Sequence, residues 1–203
     1  MAAHYMRSIP AVQEKICEYK LMNALVVAVE MNKIDVYPVY QNFLLEPNIR
    51  SCDIGVHSAI QYLQSLLLGE GHPREIQTRA KTFYINHAHV RSSAYERFET
   101  EKIILPDGGS VESEVLSQCN EIIFDPMLGG YDVESLPEVI DDTVNSCNLD
   151  IRKAIKQNMV IWYRNVNIKG LEPRLEKELK KEFSPDYKII ARISSEGIME
   201  RFD

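Results

Sequence analysis

The sequence predicts an α/β fold, on three observations. Ala24–Glu30 (ALVVAVE) is a nearly unbroken β-favouring apolar run, the pattern of a strand covered on both faces. Ile34–Tyr40 (IDVYPVY) follows the polar turn Met31-Asn32-Lys33 and reads as a second strand. Amphipathic helical segments then alternate with short strand-like runs along the rest of the chain.

Each element has a local justification. Residues 8–19 read as a short helix, with Ser8 as cap and Pro10 tolerated in the first turn. Pro38 places the second strand at an edge or a bulge, because proline has no N–H for the ladder. Gly55–Leu68 is helical, with Val56, Ile60, Leu63 and Leu67 on one face and Gly69 as the stop. Glu75–Val90 is weakly helical at first. Lys102–Leu105 leads into Pro106-Asp107-Gly108-Gly109, the clearest turn signal in the chain. Glu121–Phe124 reads as a short strand. Leu136–Cys147 is an amphipathic helix, with Leu136, Val139, Ile140, Val144 and Cys147 on its apolar side. Asp150 then caps a helix over Ile151–Gln157, which leads into strand Met159–Trp162. Gly170–Phe183 is a further helix. Leu171, Leu175 and Leu179 line its core face, Arg174/Glu178 and Glu176/Lys180 pair on the solvent side, and Ser184-Pro185 ends it. Tyr187–Ile193 is the last strand, before a polar tail over Ser194–Asp203.

Composition narrows the function classes. The chain has 203 residues, 45% hydrophobic and 26% charged, which fits one domain with at most a small inserted lobe and excludes a largely disordered chain. Its 23 Lys and Arg against 30 Asp and Glu leave a formal charge of −7. That balance argues against nucleic-acid binding through broad phosphate neutralisation, and against a polybasic membrane-surface protein. No apolar run approaches the roughly 20 residues that cross a bilayer. The N-terminus lacks the basic-then-apolar order of a secretory signal. Cys17, Cys52, Cys119 and Cys147 form no CxxC pair, so they read as free thiols in a reducing compartment rather than a zinc site.

Motifs that carry chemistry are sparse. The first 54 residues contain no glycine, so no glycine-rich phosphate loop can follow the first strand. GxGxxG, GxxxxGK[ST] and GxSxG are all absent from the sequence. No catalytic, cofactor-binding or metal-binding residue is therefore assigned. His87 and His89, with His57 and His72 loosely available, read as surface or satisfied core histidines before they read as metal ligands. Glu134, Glu138, Asp141 and Asp142 read as a solvated acidic face rather than an acid–base pair. Trp162-Tyr163-Arg164 reads as core packing with an exposed Arg, or as a contact surface.

Four segments in order resemble the actin and actin-related protein family. Ala24–Leu45 (ALVVAVEMNKIDVYPVYQNFLL) is similar to a strand–turn–strand ending in VP-[IV]-Y-E-G-[YF]-x-L. Ile104-Leu-Pro-Asp-Gly108 is similar to LPDG, and Ile123-Phe-Asp-Pro-Met-Leu-Gly129 to FxPxxxG. Leu149-Asp-Ile-Arg-Lys153 with Asn158-Met-Val-Ile161 is similar to DIRK…NxV[LV]. All four match the carboxy-terminal half of the family. The resemblance implies an actin-like, ribonuclease-H-like mixed sheet with flanking helices. Residues 1–55 and 119–203 would form the larger lobe, and 56–118 a smaller inserted lobe.

The departures from the family pattern shape the functional expectation. The family's second phosphate loop, D-S-G-D-G, stands here as Ala28, Val29, Glu30, Met31 and Asn32. Its S-G-G-T loop, which packs against the nucleotide, stands as Trp162, Tyr163, Arg164 and Asn165. Phosphoryl transfer depends on positioning and charge neutralisation, so neither hydrolysis nor binding of ATP is expected. The expectation is a non-enzymatic subunit without a cofactor, in an actin or actin-related cytoskeletal assembly of the cytoplasm. The alternatives are a nuclear chromatin-remodelling or histone-modifying complex, and a nucleotide-dependent switch completed by another chain. Its partners would be other protein chains, neither nucleic acid nor membrane. An apolar inter-lobe face left uncovered would make the isolated monomer unstable. The resemblance implies partner contacts at Tyr40, Gln41 and Asn42, with Asp150 and Arg152.

Overall fold

The computed structural model describes residues 12–14, 16–69, 74–91, 102–104, 110–164, 166–194 and 197–201. Ser8, Pro10, His72, the turn at 106–109 and Asn165 lie outside these residues.

The fold is α/β and is built on one mixed sheet. Strand β1 (Asn23–Val29) pairs antiparallel with β2 (Ile34–Tyr40) and parallel with β7 (Met159–Tyr163). β7 pairs parallel with β8 (Ile189–Ser194). Two short strands, β3 (Phe43–Leu44) and β4 (Arg50–Cys52), pair with the far side of β2. β3 takes up Val39 and Tyr40 and β4 takes up Ile34 to Val36, so Pro38 falls in the gap between them. The missing N–H of Pro38 therefore has no ladder bond to break. β9 (Gly197–Arg201) pairs antiparallel with β8 at the other edge. The sequence reads this last segment as a polar tail. A hairpin onto β8 satisfies that strand's outer edge instead.

The helices are α1 (Val56–Gly69), α2 (Arg74–His87), α3 (Ser113–Gln118), α4 (Leu136–Ser146), α5 (Leu149–Lys156) and α6 (Leu171–Glu182). A separate ribbon pairs β5 (Lys102–Ile104) with β6 (Ser110–Glu112). Alternation along each strand sends side chains to two cores. Leu25, Val27, Val29, Ile34, Val36, Met159, Ile161 and Tyr163 face one core, shared with α1, α4, α5 and α6. Tyr84, Val111, Val115 and Leu116 belong to that same core. Ala24, Val26, Ala28, Tyr37, Val39, Val160 and Trp162 face the other, against Val12 and Ile16 of the helical turns that precede β1. Both faces of β1, β2 and β7 are buried.

Three local expectations are corrected. Glu121–Phe124 is not a strand: Glu121–Ile123 is a 3-10 turn, closed by Phe124 and Asp125 N–H groups on the Glu121 carbonyl. α5 begins at Leu149 with Asn148 at its N-cap, so Asp150 lies in the first turn rather than capping it. Arg174 is not on the solvent side. Only 3% exposed, it holds Glu121 through two 3.2 Å contacts and Glu178 at 2.7 Å, and stacks on Phe124. The buried turn at Glu121 supplies the carboxylate that draws the arginine inward.

Candidate functional site

The hairpin from β2 to β3 is a two-residue turn with both residues left-handed, Gln41 at φ 51° and Asn42 at φ 64°. That geometry matches the twist of paired strands and is costly for side chains other than Gly, Asn and Asp. Two outside contacts hold it. Gln41 N–H donates to Asn23 Oδ1 at 3.0 Å, and Asn42 N–H donates to the Met22 carbonyl at 2.9 Å. Tyr40 is half-buried and packs against the core, whereas Gln41 and Asn42 are exposed. Met22 and Phe43 flank the turn at 59% and 71% exposure. The sequence reading missed both. Their signal is an apolar side chain at each strand end beside a turn.

Asp150 and Arg152 lie on α5 and have different roles. Asp150 is exposed, next to Leu149 at 76%. Arg152 turns back to α4, donating through Nε to the Cys147 carbonyl at 2.9 Å and through Nη2 to the Asn145 carbonyl at 2.5 Å. It satisfies the free carbonyls of a helix end. No hydrogen bond or ion pair joins α5 to the Tyr40–Asn42 turn among the described residues.

The carboxyl ends of the parallel pair β1 and β7 bring together the two loops singled out in the sequence. Ala28 lies opposite Trp162 and Val29 opposite Tyr163, and Arg164 N–H donates to the Val29 carbonyl at 3.0 Å. Glu30 is 5% exposed, and its Oε1 accepts from Arg164 Nη1 at 2.5 Å. The guanidinium also lies over the Trp162 ring, 5.2 Å from its centre. The Glu30–Lys33 turn is closed on itself by Glu30 N–H to the Lys33 carbonyl at 3.1 Å. Behind it, Val56 and His57 N–H groups donate to the Glu30 and Met31 carbonyls. Gly55 is required there, because a Cβ would meet Lys33 N at 2.3 Å and the Asn32 carbonyl carbon at 2.4 Å. Next along β2, buried Asp35 takes Lys33 Nζ at 2.6 Å, the Ser51 hydroxyl at 2.5 Å and the Tyr37 hydroxyl at 2.9 Å.

The sequence profile of the actin family matches residues 75–202. The chain belongs to the actin family. It is 26% identical over 167 residues to an actin-like protein of Neurospora crassa, covering 75% of this chain and 44% of that relative. It is 29% identical over 157 residues to Actin-related protein 2 of Schizosaccharomyces pombe, covering 71% of this chain and 40% of that relative. It therefore spans under half the length of these curated relatives.

In this actin-family chain the remaining candidates are tied into the fold. His87 ends α2, His89 bridges to Lys169, and His57 begins α1. His87 is helical and His89 lies beyond the helix end, so the two do not share a strand face. Among the described residues no group of three or more His, Cys, Asp or Glu has metal-site geometry. Glu138 and Asp141 of the acidic stretch serve structure, while Glu134 and Asp142 are exposed. Glu138 accepts from the Ser135 N–H at 2.7 Å and hydroxyl at 2.6 Å, which holds its carboxyl below the usual range. Asp141 accepts the Tyr187 hydroxyl at 2.7 Å and faces Lys156 at 3.6 Å. Burial first, then Asp141, pushes the Tyr187 phenol far up. Trp162 and Tyr163 are buried in β7, and the Tyr163 hydroxyl donates to Glu172 Oε1 at 3.0 Å. Cys52, Cys119 and Cys147 are buried free thiols, and Cys17 is exposed and free. Burial pushes the Cys52 thiol up to about 11. None of the helices among the described residues is long and apolar enough to cross a membrane.

Proposed function

We propose that this actin-family chain works as a non-enzymatic interaction subunit of a cytoskeletal protein assembly, without a bound nucleotide. The Glu30–Arg164 ion pair carries the reading. Where the family pattern calls for N–H groups closing on phosphate, this chain has a buried carboxylate already matched by its own cation. A nucleotide's phosphates would meet a like charge there, and Arg164 is engaged before any ligand arrives. Ala28 cannot hold a metal ion, and Trp162 fills the space beside the pair. The residues present do not fit the group.

A thermal titration with Mg-ATP tests this reading. The expected result is an unchanged melting midpoint. Binding at about a hundredfold excess over Kd would add on the order of 2–3 kcal/mol, and a shift of that size rejects the proposal in favour of a nucleotide switch.

The surface proposed for the partner is the Gln41-Asn42 turn with Met22 and Phe43, because exposed apolar side chains on a fixed turn suit an interface core. Tyr40 is too embedded to be mutated cleanly. Affinity purification with Met22→Ser/Phe43→Ser is expected to lose a co-purifying chain that the parent retains. Retention of all partners with an unchanged midpoint would place the interface elsewhere.

A further inference from the structure

A cavity of about 740 Å³ lies between α6 and the start of β8, and neither Glu30 nor Arg164 lines it. Pro173 and Ile189 give it apolar wall. Lys177, Lys180 and Lys181 stand at i, i+3 and i+4 on α6, so they share one face of the helix. Lys188 joins them from the approach to β8. In a chain of formal charge −7, this lining has four lysines against two glutamates.

Both glutamates are engaged by the fold. Glu172 is 3% exposed, accepts the Tyr163 hydroxyl at 3.0 Å and lies 3.8 Å from Arg192. Glu176 accepts the Ile189 N–H at 2.7 Å and pairs with Lys180. The cations are held more loosely. Lys181 is 69% exposed and reaches Glu178 and Glu182 only at 3.8 Å and 3.7 Å. Lys188 is exposed and forms no ion pair among the described residues. Exposed pairs of this kind contribute little, so a multiply charged anion can take the ammonium groups over. The lysine stems extend the apolar wall while their charges stay at the mouth.

We infer that this cavity binds a small ligand carrying several phosphate groups, either free or as the headgroup of a lipid. Lysine meets phosphate as a point charge, and cations supplied by two elements call for more than one phosphate. The volume lies within the roughly 300–1,000 Å³ of small-molecule sites. The acidic balance of the rest of the chain repels a long polyanion that would run past the cavity, so the ligand is compact.

The probe is inositol hexakisphosphate, titrated calorimetrically into the full chain. Saturable binding that weakens as salt rises is expected. Lys181→Gln/Lys188→Gln is expected to weaken it about tenfold or more. Lys153→Gln/Lys169→Gln removes the same charge elsewhere and is expected to leave it nearly unchanged. All four side chains are exposed, and circular dichroism checks that the variants fold. Equal losses in the two double variants would reduce the effect to the general field and overturn the proposal. So would no saturable binding by about 1 mM probe, or equal affinity for inorganic phosphate. Co-sedimentation with phosphatidylcholine vesicles, with and without phosphatidylinositol bisphosphate, separates the sources. Pelleting that needs the inositide and is reversed by the free probe assigns the lipid headgroup, and binding of the probe without pelleting assigns a free ligand. Pelleting retained by Lys181→Gln/Lys188→Gln overturns the cavity as the site. Magnesium masks much of the phosphate charge of Mg-ATP, so that titration and this one can fail separately.

Discussion

Removing the arginine of a buried pair costs more than the pair contributes, because a carboxylate is left behind in a poorly solvated place. Glu30 and Arg164 have 7% and 30% exposed side chains, so solvent still screens the arginine end. Arg164→Met is expected to lower the urea-unfolding free energy by about 1–3 kcal/mol. Adding Glu30→Gln should recover part of that loss, and a strictly additive double mutant would show that the two groups do not couple. Arg174 is the harsher case. At 3% exposure it matches Glu121 and Glu178 and donates to the Arg91 carbonyl at 3.3 Å. Arg174→Met is expected to cost about 3–5 kcal/mol in the same measurement, clearly more than Arg164→Met. Its burial was not legible in the sequence, where the i,i+4 spacing to Glu178 looks like a surface pair. The residue that draws it inward, Glu121, lies in a segment that reads as a strand.

At the scale of elements, the β2–β3 turn carries backbone cost that its sequence does not relieve. Gln41 sits at φ 51°, where a side chain is disfavoured by roughly 1–2 kcal/mol. Gln41→Gly is expected to raise stability by about 0.4–1 kcal/mol or leave it level, since glycine's extra unfolded-state freedom offsets part of the relief. A drop in the melting midpoint would show that the Gln41 side chain itself stabilises the hairpin. The start of α4 gives a pH prediction. Two hydrogen bonds from Ser135 depress the folded pKa of Glu138. A depressed carboxyl adds stability that is present above its unfolded pKa and lost as pH falls through the folded value. Parent minus Glu138→Gln should therefore be full above the ordinary Glu pKa of about 4.3 and be lost as pH falls through the depressed folded value, within the roughly 0.5–2 kcal/mol of a helix cap. A difference that grows on acidification would contradict the assignment.

At the scale of the whole molecule, one cluster of buried apolar side chains links β1 and β2 to α1, α2, α3 and α6. The described buried residues of 56–118 thus join the same core as the sheet. The proposal is a single cooperative unit. Trp162 is the only tryptophan in the chain and is 5% exposed, on the sheet face away from α1 and α2. Its fluorescence and the far-ultraviolet circular dichroism should lose signal with coincident midpoints. Separate midpoints would mean that the inserted segment melts alone.

The strands and helices were largely written in the sequence, because burial imposes its period directly. Ala24–Glu30 and Ile34–Tyr40 have the density of strands covered on both sides, and α1, α4 and α6 carry apolar faces at helical spacing. The family was legible for the same reason, since its motifs are turns and strand ends with fixed local chemistry. The last strand was not, because Gly197–Arg201 (GIMER) has no alternating apolar period and exists by pairing with β8. Nor was the meeting of Glu30 with Arg164, 134 positions apart in the chain. Sequence marked each as a departure from the family pattern. Only the parallel register of β1 with β7 set them side by side, because side-chain contact between distant segments is decided by strand order, to which local periodicity is blind.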